Sequence, residues 1–220
     1  MAAPVGVRVF DKIADKYEFT AKFLSFGIMP YWLKRLAEPI RGGETVLDLA
    51  CGTGILFPRL VEKFRRVVGL DYSLPMLRQA AKKGLSRVRL VRGDALRLPF
   101  EDESFDAVVV SLGLRHFEDL DRSLEEIFRV LKKGGELHAL EVGLPENPLL
   151  RSLFLTFLRR VVLPLGRLRA KEDVYDHLFG SIIRFPHGEE MVKRLLSKGF
   201  SRARFEPLMG GIVYLYRAEK

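Results

Sequence analysis

The sequence predicts a doubly wound α/β fold, on three observations. The first is the string Val46-Leu47-Asp48-Leu49-Ala50-Cys51-Gly52-Thr53-Gly54: an apolar run, an acid and a Gly-x-Gly turn, followed by a helical pattern over residues 55–64. A buried strand feeding a tight loop into a helix is the usual opening of a nucleotide-type site in such folds. The second is Val67-Val68-Gly69-Leu70-Asp71, another buried-strand pattern, whose closing acid stands 17 residues beyond Gly54. That is near the separation at which an acid receives a ribose diol. The third is alternation. Residues 44–141 alternate strand and helix patterns, and the strands end in polar residues, so their C-terminal ends line one crevice.

The elements follow in order. Residues 8–40 read as helices ahead of the sheet, because Val9, Phe10, Ile13, Ala14 and Tyr17 recur at helical spacing, as do Trp32, Leu33 and Leu36. Gly27 and Pro30 break the helix between these two groups. After the strands at 46–50 and 67–71, Val88-Arg89-Leu90-Val91-Arg92-Gly93-Asp94-Ala95 supplies a third, and Phe105-Asp106-Ala107-Val108-Val109-Val110-Ser111 a fourth. Residues 119–132 form a helix with Leu120, Leu124, Ile127, Phe128 and Leu131 on one face, stopped by Lys133-Gly134-Gly135. Residues 136–141 make the fifth strand. A helix over 192–196 stops at Gly199, and residues 202–208 and 212–216 close the chain as a hairpin about Gly210-Gly211.

Between the fifth strand and that helix, where a short connection is expected, stand the 45 residues 144–188. Leu149, Leu153, Phe154, Phe157, Val161 and Leu165 make the segment apolar. Arg151, Arg159, Arg160, Arg167, Arg169 and Lys171 make it basic, with no acid between Leu149 and Glu172. It reads either as a helical lid packed on the core or as a lipid-facing surface with a basic rim. The chain, 1–220, is expected to be one domain, with residues 1–40 as a helical cap and 144–188 as a lid insertion.

Composition narrows the setting. Hydrophobic residues at 48% and charged residues at 30% are globular values. No apolar run approaches the roughly 20 residues that cross a bilayer. The N-terminus has no signal-peptide core, so a cytoplasmic protein is expected. The single Cys51 excludes an intramolecular disulfide, and in a tight turn it reads as a small residue that fits. The net charge of +9 suits nucleic acid, an anionic membrane surface or a thermophile's surface. Gln79 and Asn147 are the sole residues of their types, an amide depletion that favours the thermophile. Nucleic acid is not an expected partner, since the basic residues are spread along the chain with no aromatic-basic recognition module.

The glycine loop narrows the ligand. A dinucleotide site wants a third Gly where this chain has Phe57, and no Gly-Lys-Ser/Thr follows to cradle a phosphate. What remains resembles the first motif of class I S-adenosylmethionine (SAM)-dependent methyltransferases. That resemblance implies a Rossmann-like seven-stranded sheet with an antiparallel last strand. It also implies SAM as the methyl-donor cosubstrate, with no metal. Gly52, Thr53 and Gly54 would meet the amino-acid portion through amides and the Thr hydroxyl. Asp48 would anchor the loop or reach the ammonium, and Asp71 would take the ribose hydroxyls. Asp94 and the Ala95 amide would read the adenine, and Ser111 would floor the pocket.

A narrower family is resembled by nearly the whole chain. Val9-Phe10-Asp11-Lys12-Ile13-Ala14-Asp15-Lys16-Tyr17-Glu18, then Leu24-Ser25-Phe26-Gly27-Ile28 and Trp32, look like the start of the demethylmenaquinone/ubiquinone C-methyltransferases. Ser111-Leu112-Gly113-Leu114-Arg115-His116, then Glu141, Tyr175, Leu178, Ser181-Ile182, Arg184-Phe185-Pro186 and Gly210-Gly211-Ile212-Val213, continue the likeness. The family usually carries Asp where this chain has Glu18, and Asn where it has His116. The resemblance implies C-methylation of a reduced polyprenyl quinone, demethylmenaquinol to menaquinol. The partners would be the hydroquinone and, transiently, the inner face of a membrane, with a homodimer left open.

For that chemistry Arg115 is the candidate cation beside a forming phenolate, and a salt bridge to Glu141 is its plain alternative. His116 is the candidate base, and packing or capping is the alternative. Tyr17 would bind the quinol or close over SAM, or else fill a helix face. His138 reads as a core histidine, while His177 and His187 carry no further signal. Methylation of another small molecule, or of RNA, stays open as a competing reading.

Overall fold

The computed structural model describes residues 5–162, 164 and 179–220. Three helices lead in: α1 (Val5–Ile13), α2 (Tyr17–Leu24) and α3 (Met29–Ala37). The spacing from Val9 to Tyr17 predicts one helix, but the chain turns between Ile13 and Tyr17. That turn brings Phe10 and Tyr17 edge to face, with ring centroids 5.9 Å apart.

Seven strands then form one sheet: β1 (Gly43–Leu49), β2 (Phe64–Asp71), β3 (Val88–Arg92), β4 (Phe105–Ser111), β5 (Leu131–Val142), β6 (Arg202–Leu208) and β7 (Val213–Glu219). Their order across the sheet is β3-β2-β1-β4-β5-β7-β6. The first five run parallel, and β7 runs antiparallel between β5 and β6. The strand order reverses at β1, whose neighbours are β2 and β4, and ligands of such sheets bind at this switch point beyond the strand ends. The buried runs explain themselves. Helices cover both faces, so β1 is buried from Val46 to Leu49 and β4 is apolar over most of its length. Trp32, Leu33 and Leu36 of α3 pack with Phe57, Phe64 and, from α5 (Leu74–Ala81), Leu77 on one face. Leu124 and Ile127 of α6 (Leu120–Val130) pack with Met191 and Leu195 on the other.

Two boundaries differ from the sequence reading. The helix predicted over 55–64 is only α4 (Phe57–Val61), and Phe64 opens β2 as a buried residue. Lys63 accounts for the change. Its ammonium donates to the carbonyls of Ala37, Glu38 and Ile40 at 2.9, 3.0 and 2.9 Å, tying the chain to the end of α3 and setting Gly43 opposite Phe64. Lys133-Gly134-Gly135, predicted to end a helix, instead lies inside β5. Helix α6 stops at Val130, and Gly134 at φ 73° carries the strand past a register shift opposite Phe105 and Ala107.

The insertion opens with α7 (Pro148–Phe157), whose N-cap Asn147 accepts from Leu149 N and Leu150 N, and continues as a π-helical turn, Leu158–Val162. Phe154, Leu158 and Val162 form its buried stripe, packed with Leu144 and Ile182. Leu149 and Leu153 point outward, 71% and 60% exposed. Leu165, Arg167, Arg169, Lys171, Glu172, Tyr175, His177 and Leu178 lie outside the described residues. Among the described residues no helix is long and apolar enough to cross a membrane.

Candidate active site

Two cavities meet at the C-terminal edge of the sheet. The first, of about 110 Å³, follows the ends of β1, β2, β3 and β4. Gly52, Asp71, Asp94, Ala95 and Ser111, all expected to contact the cofactor, line it, together with Tyr17 and His116. The second is larger, about 260 Å³, and lies between α1, α2, α3 and the insertion. Phe10, Tyr17, Leu112 and His116 line both.

The charges divide cleanly. Among the described residues the first cavity is walled by the carboxylates of Asp71, Asp94 and Glu118, with no Lys or Arg. Among the described residues the second has no carboxylate on its wall, and its ionisable groups are Tyr17, Arg115 and His116 against a lining of aromatic and aliphatic side chains.

The glycine loop is built around Asp71. One carboxylate oxygen accepts from Gly52 N at 2.8 Å and the other from Ser73 N at 2.8 Å. Gly52 has φ +54°, and a Cβ placed there would meet open space toward the cleft. Phe57 stands where a dinucleotide site wants glycine, and its ring packs against Gly54 and Gly69. A Cβ on Gly54 or Gly69 would come within 2.3 or 2.5 Å of it. Burial, more than any neighbour, pushes the Asp71 carboxyl above its usual range. Burial likewise raises the Cys51 thiol well above its ordinary value, and a buried, protonated thiol is inert.

Three expected cofactor contacts are placed differently. The Thr53 hydroxyl turns away from the cleft and donates to Glu18 of α2 at 2.7 Å, and Lys83 reaches the same carboxylate oxygen at 2.9 Å. Gly54 is spent on the turn, its N–H donating to Cys51 O. Asp48 lies beneath the loop, 1% exposed, and its Oδ1 has no hydrogen-bond partner. Burial first, and the Asp71 charge second, raise its pKa well above the carboxylate range. Asp94 uses Oδ1 to hold Leu96 N at 2.9 Å, which fixes the loop that Ala95 belongs to.

On the substrate side, Arg115 and Glu141 form a buried ion pair, their side chains 6% and 0% exposed. Arg115 Nη1 donates to Glu141 Oε1, and also to Leu112 O at 3.1 Å. Glu141 accepts further from the backbone N–H of Arg115 at 3.2 Å and of Val142 at 3.0 Å. The salt bridge named from sequence therefore exists, while the Arg115 Nε remains buried without a partner in a residue that lines the cavity. Burial raises the Glu141 carboxyl against the opposing pull of Arg115. Burial also raises the Tyr17 hydroxyl, again against Arg115. His116 packs edge-on against Phe10, with ring centroids 4.8 Å apart. His138 is buried in β5 beside Glu136, Nε2 to Oε2 3.1 Å, far from any role in the cleft.

Sequence reasoning missed the groups that tie the N-terminal helices to the cofactor loops. Asp11 of α1 accepts from the Ser73 hydroxyl, and Glu18 accepts from Thr53. Ser73 carried a signal, since Ser-Leu-Pro after a strand marks an N-cap, and its Oγ does accept from Met76 N at 3.2 Å. Tyr72 and Glu118, also on the cleft wall, carried none beyond standing after strand ends.

Backbone strain gathers here too. The non-glycine residues with positive φ among the described residues are Phe26, Ala50, Glu103, Leu112 and Met209, and all but Glu103 line one or both cavities.

These residues fit SAM. A cation is met by three carboxylates on the cleft wall, and the open side of Gly52 admits a ligand atom where a side chain would stand. Among the described residues, no three His, Cys, Asp or Glu side chains gather as a metal site.

Comparison with known proteins agrees. The model of the ubiE/COQ5 methyltransferase family matches residues 5–220. A demethylmenaquinone methyltransferase from Thermobifida fusca is 39% identical over 219 residues, covering 96% of this chain and 92% of that one. One from Streptomyces avermitilis is 36% identical over 215 residues, covering 96% and 93%. The crystal structure of a SAM-dependent methyltransferase from Thermotoga maritima superposes with a TM-score of 0.71 at 23% identity, covering 97% and 99%, a likeness of fold. The cleft, the fold and the full-length match together make this chain a SAM-dependent methyltransferase of the ubiE/COQ5 methyltransferase family.

Proposed function

We propose that the enzyme methylates a ring carbon of a reduced polyprenyl quinone, converting a demethylmenaquinol to a menaquinol. The observation that carries this reading is the junction at Phe10, Tyr17, Leu112 and His116. There a carboxylate-lined cleft meets an apolar cavity holding a guanidinium. A flat hydrophobic ring with ionisable hydroxyls suits the second cavity, and the relatives' activity points the same way.

Bound SAM supplies an electrophilic methyl group: a carbon–carbon bond forms as the carbon–sulfur bond breaks, and sulfur leaves as a neutral thioether. The residues must make the ring nucleophilic. A quinol hydroxyl titrates near 10, so it is protonated at neutral pH. Arg115 stabilises the phenolate that forms when that proton leaves, in a cavity where little water screens the charge. His116 accepts the proton, and Tyr17, at the wall between the cavities, orients the hydroxyl. Once the methyl has transferred, the ring carbon's own proton passes to solvent as aromaticity returns, and His116 hands its proton back to the ring oxygen. Asp71, Asp94, Ala95, Ser111 and the Gly52 amide hold the cofactor, with Asp48 beneath it.

The substrate's tail lives in a bilayer, so the enzyme works as a cytoplasmic protein at a membrane surface. Phe19, Phe23, Leu149 and Leu153 are exposed, and Arg159 and Arg160, exposed in the turn after α7, suit anionic headgroups. The amide-poor composition suits a thermophilic source. The test is methyl transfer measured side by side on reduced naphthoquinones and benzoquinones. Turnover of the naphthoquinol supports the reading, and turnover of neither removes it.

A further inference from the structure

The turn after α2 breaks a local rule. Gly27 N donates to Lys22 O at 2.8 Å and Phe26 N to Phe23 O at 2.9 Å, the paired bonds of a Schellman helix stop. The residue at the left-handed position of that stop is normally glycine. Here it is Phe26, at φ 50°, with Gly27 one place later. A phenylalanine in this conformation is strained, and local rules are broken chiefly where function requires it.

Phe26 is 65% exposed, yet it lines the apolar cavity and its ring lies 5.6 Å from that of Phe157 in α7. A side chain that is both outside and on the cavity wall stands at its mouth. Met209 repeats the pattern from the C-terminal hairpin: φ 51°, 44% exposed, on the same wall. Three separate segments thus bring apolar side chains to one opening, two of them from backbone positions that favour glycine.

We propose that Phe26, Met209 and Phe157 form the lip through which the prenyl tail leaves the cavity, and that they set the enzyme's preference for tailed over tail-free quinols. This rests on the quinol reading above. With the ring at the junction beside Tyr17, the tail must cross the remaining apolar wall to reach solvent or lipid. The lip packs against its first units and keeps water from the cavity.

Glycine separates this role from a structural one, because it removes the side chain and relieves the left-handed backbone together. Phe26→Gly and Met209→Gly are compared with the parent for kcat/KM on reduced naphthoquinones with and without a short prenyl tail, alongside thermal unfolding. We expect the tailed-to-tail-free ratio to fall about tenfold in Phe26→Gly, equivalent to about 1.4 kcal/mol. A smaller fall in the same direction is expected in Met209→Gly, with no drop in melting temperature for either. A ratio unchanged in both variants, with the parent active, overturns the lip. So does a fall in melting temperature with equal loss on both substrates, which would make Phe26 a strut between α2 and the insertion. A parent inactive on both quinols overturns instead the function on which the lip rests.

Discussion

Arg115 has two readings, catalytic cation and structural ion pair, and its partner Glu141 separates them. Arg115→Met removes the guanidinium while keeping the stem. Glu141 then keeps its two backbone donors, Arg115 N and Val142 N, but loses its counter-charge at a site where its side chain is 0% exposed. Breaking a buried pair from one side costs about 3–5 kcal/mol, a large share of a typical domain's stability. The carboxyl responds by taking a proton. Burial already raises its pKa and Arg115 opposes that rise, so removing Arg115 raises it further. The folded state then holds a proton the unfolded state does not. Stability therefore falls as pH climbs from the ordinary carboxylate value of 4.5 toward the folded one, by up to about 1.4 kcal/mol per pH unit. Adding Glu141→Gln removes the charge, and we expect stability to return to within about 1 kcal/mol of the parent because a buried pair contributes little net. Methyl transfer should not return. Urea unfolding across pH and single-turnover methyl transfer on the three proteins test this. Activity that recovers together with stability in the double variant would make Arg115 structural alone. A single variant as stable as the parent at every pH would refute the burial argument itself.

Asp71→Asn keeps one acceptor oxygen but sets an amide N–H₂ against either Gly52 N–H or Ser73 N–H, so SAM binding measured by calorimetry should weaken by about 1–3 kcal/mol. Glu136 is held down to about 2 by its hydrogen bond from His138, so its contribution is full above 4.5 and is lost as pH falls from there toward 2. Glu136→Gln should flatten acid unfolding over that window. Leu149→Ser with Leu153→Ser alters only the outward face of α7, and should lower binding to anionic vesicles without lowering the melting temperature. Loss of stability in that variant would place these residues in a packed interface.

What the sequence made legible follows from what sets each feature. Strands β1 and β4 are buried on both faces, so composition alone marks them. The acids at strand ends are legible because topology brings the ends together wherever the strands go in the sheet. The boundaries that shifted were decided by distant partners: Lys63 bonding to carbonyls of 37, 38 and 40, and Gly134 bending β5 opposite β4. The ties from Asp11 to Ser73 and from Glu18 to Thr53 join residues 62 and 35 apart, and a single sequence does not encode such pairings in any local period. Periodicity likewise showed that 149–162 is apolar but not which stripe faces in. The structure divides it, with Phe154, Leu158 and Val162 inward and Leu149 and Leu153 outward. The inward stripe packs as a lid would, and the outward residues are those that the proposed membrane contact would use.

The division of charge between the two cavities matches the chemistry of methyl transfer. A sulfonium is a cation and a phenolate is an anion, and the transfer cancels both. A low-dielectric site strengthens every interaction with those charges, favourable or not. Carboxylates on the quinol side would oppose the phenolate, and a guanidinium beside the sulfonium would oppose SAM. Here Asp71, Asp94 and Glu118 wall the first cavity and Arg115 the second, with Tyr17 and His116 lining both. The Arg115 charge is itself balanced by Glu141, outside both linings, so the quinol side is not strongly cationic before substrate arrives. That balance limits how far Arg115 depresses the hydroxyl's pKa. It also gives the Glu141→Gln single variant an electrostatic signature. With the counter-charge removed and the hydrogen-bonding shape largely kept, the acid limb of kcat against pH, which reports groups in the enzyme–substrate complex, should move to lower pH. A limb that stays in place would mean the quinol hydroxyl does not feel the Arg115 charge, and the proton would then have to be handled by Tyr17 and His116 alone.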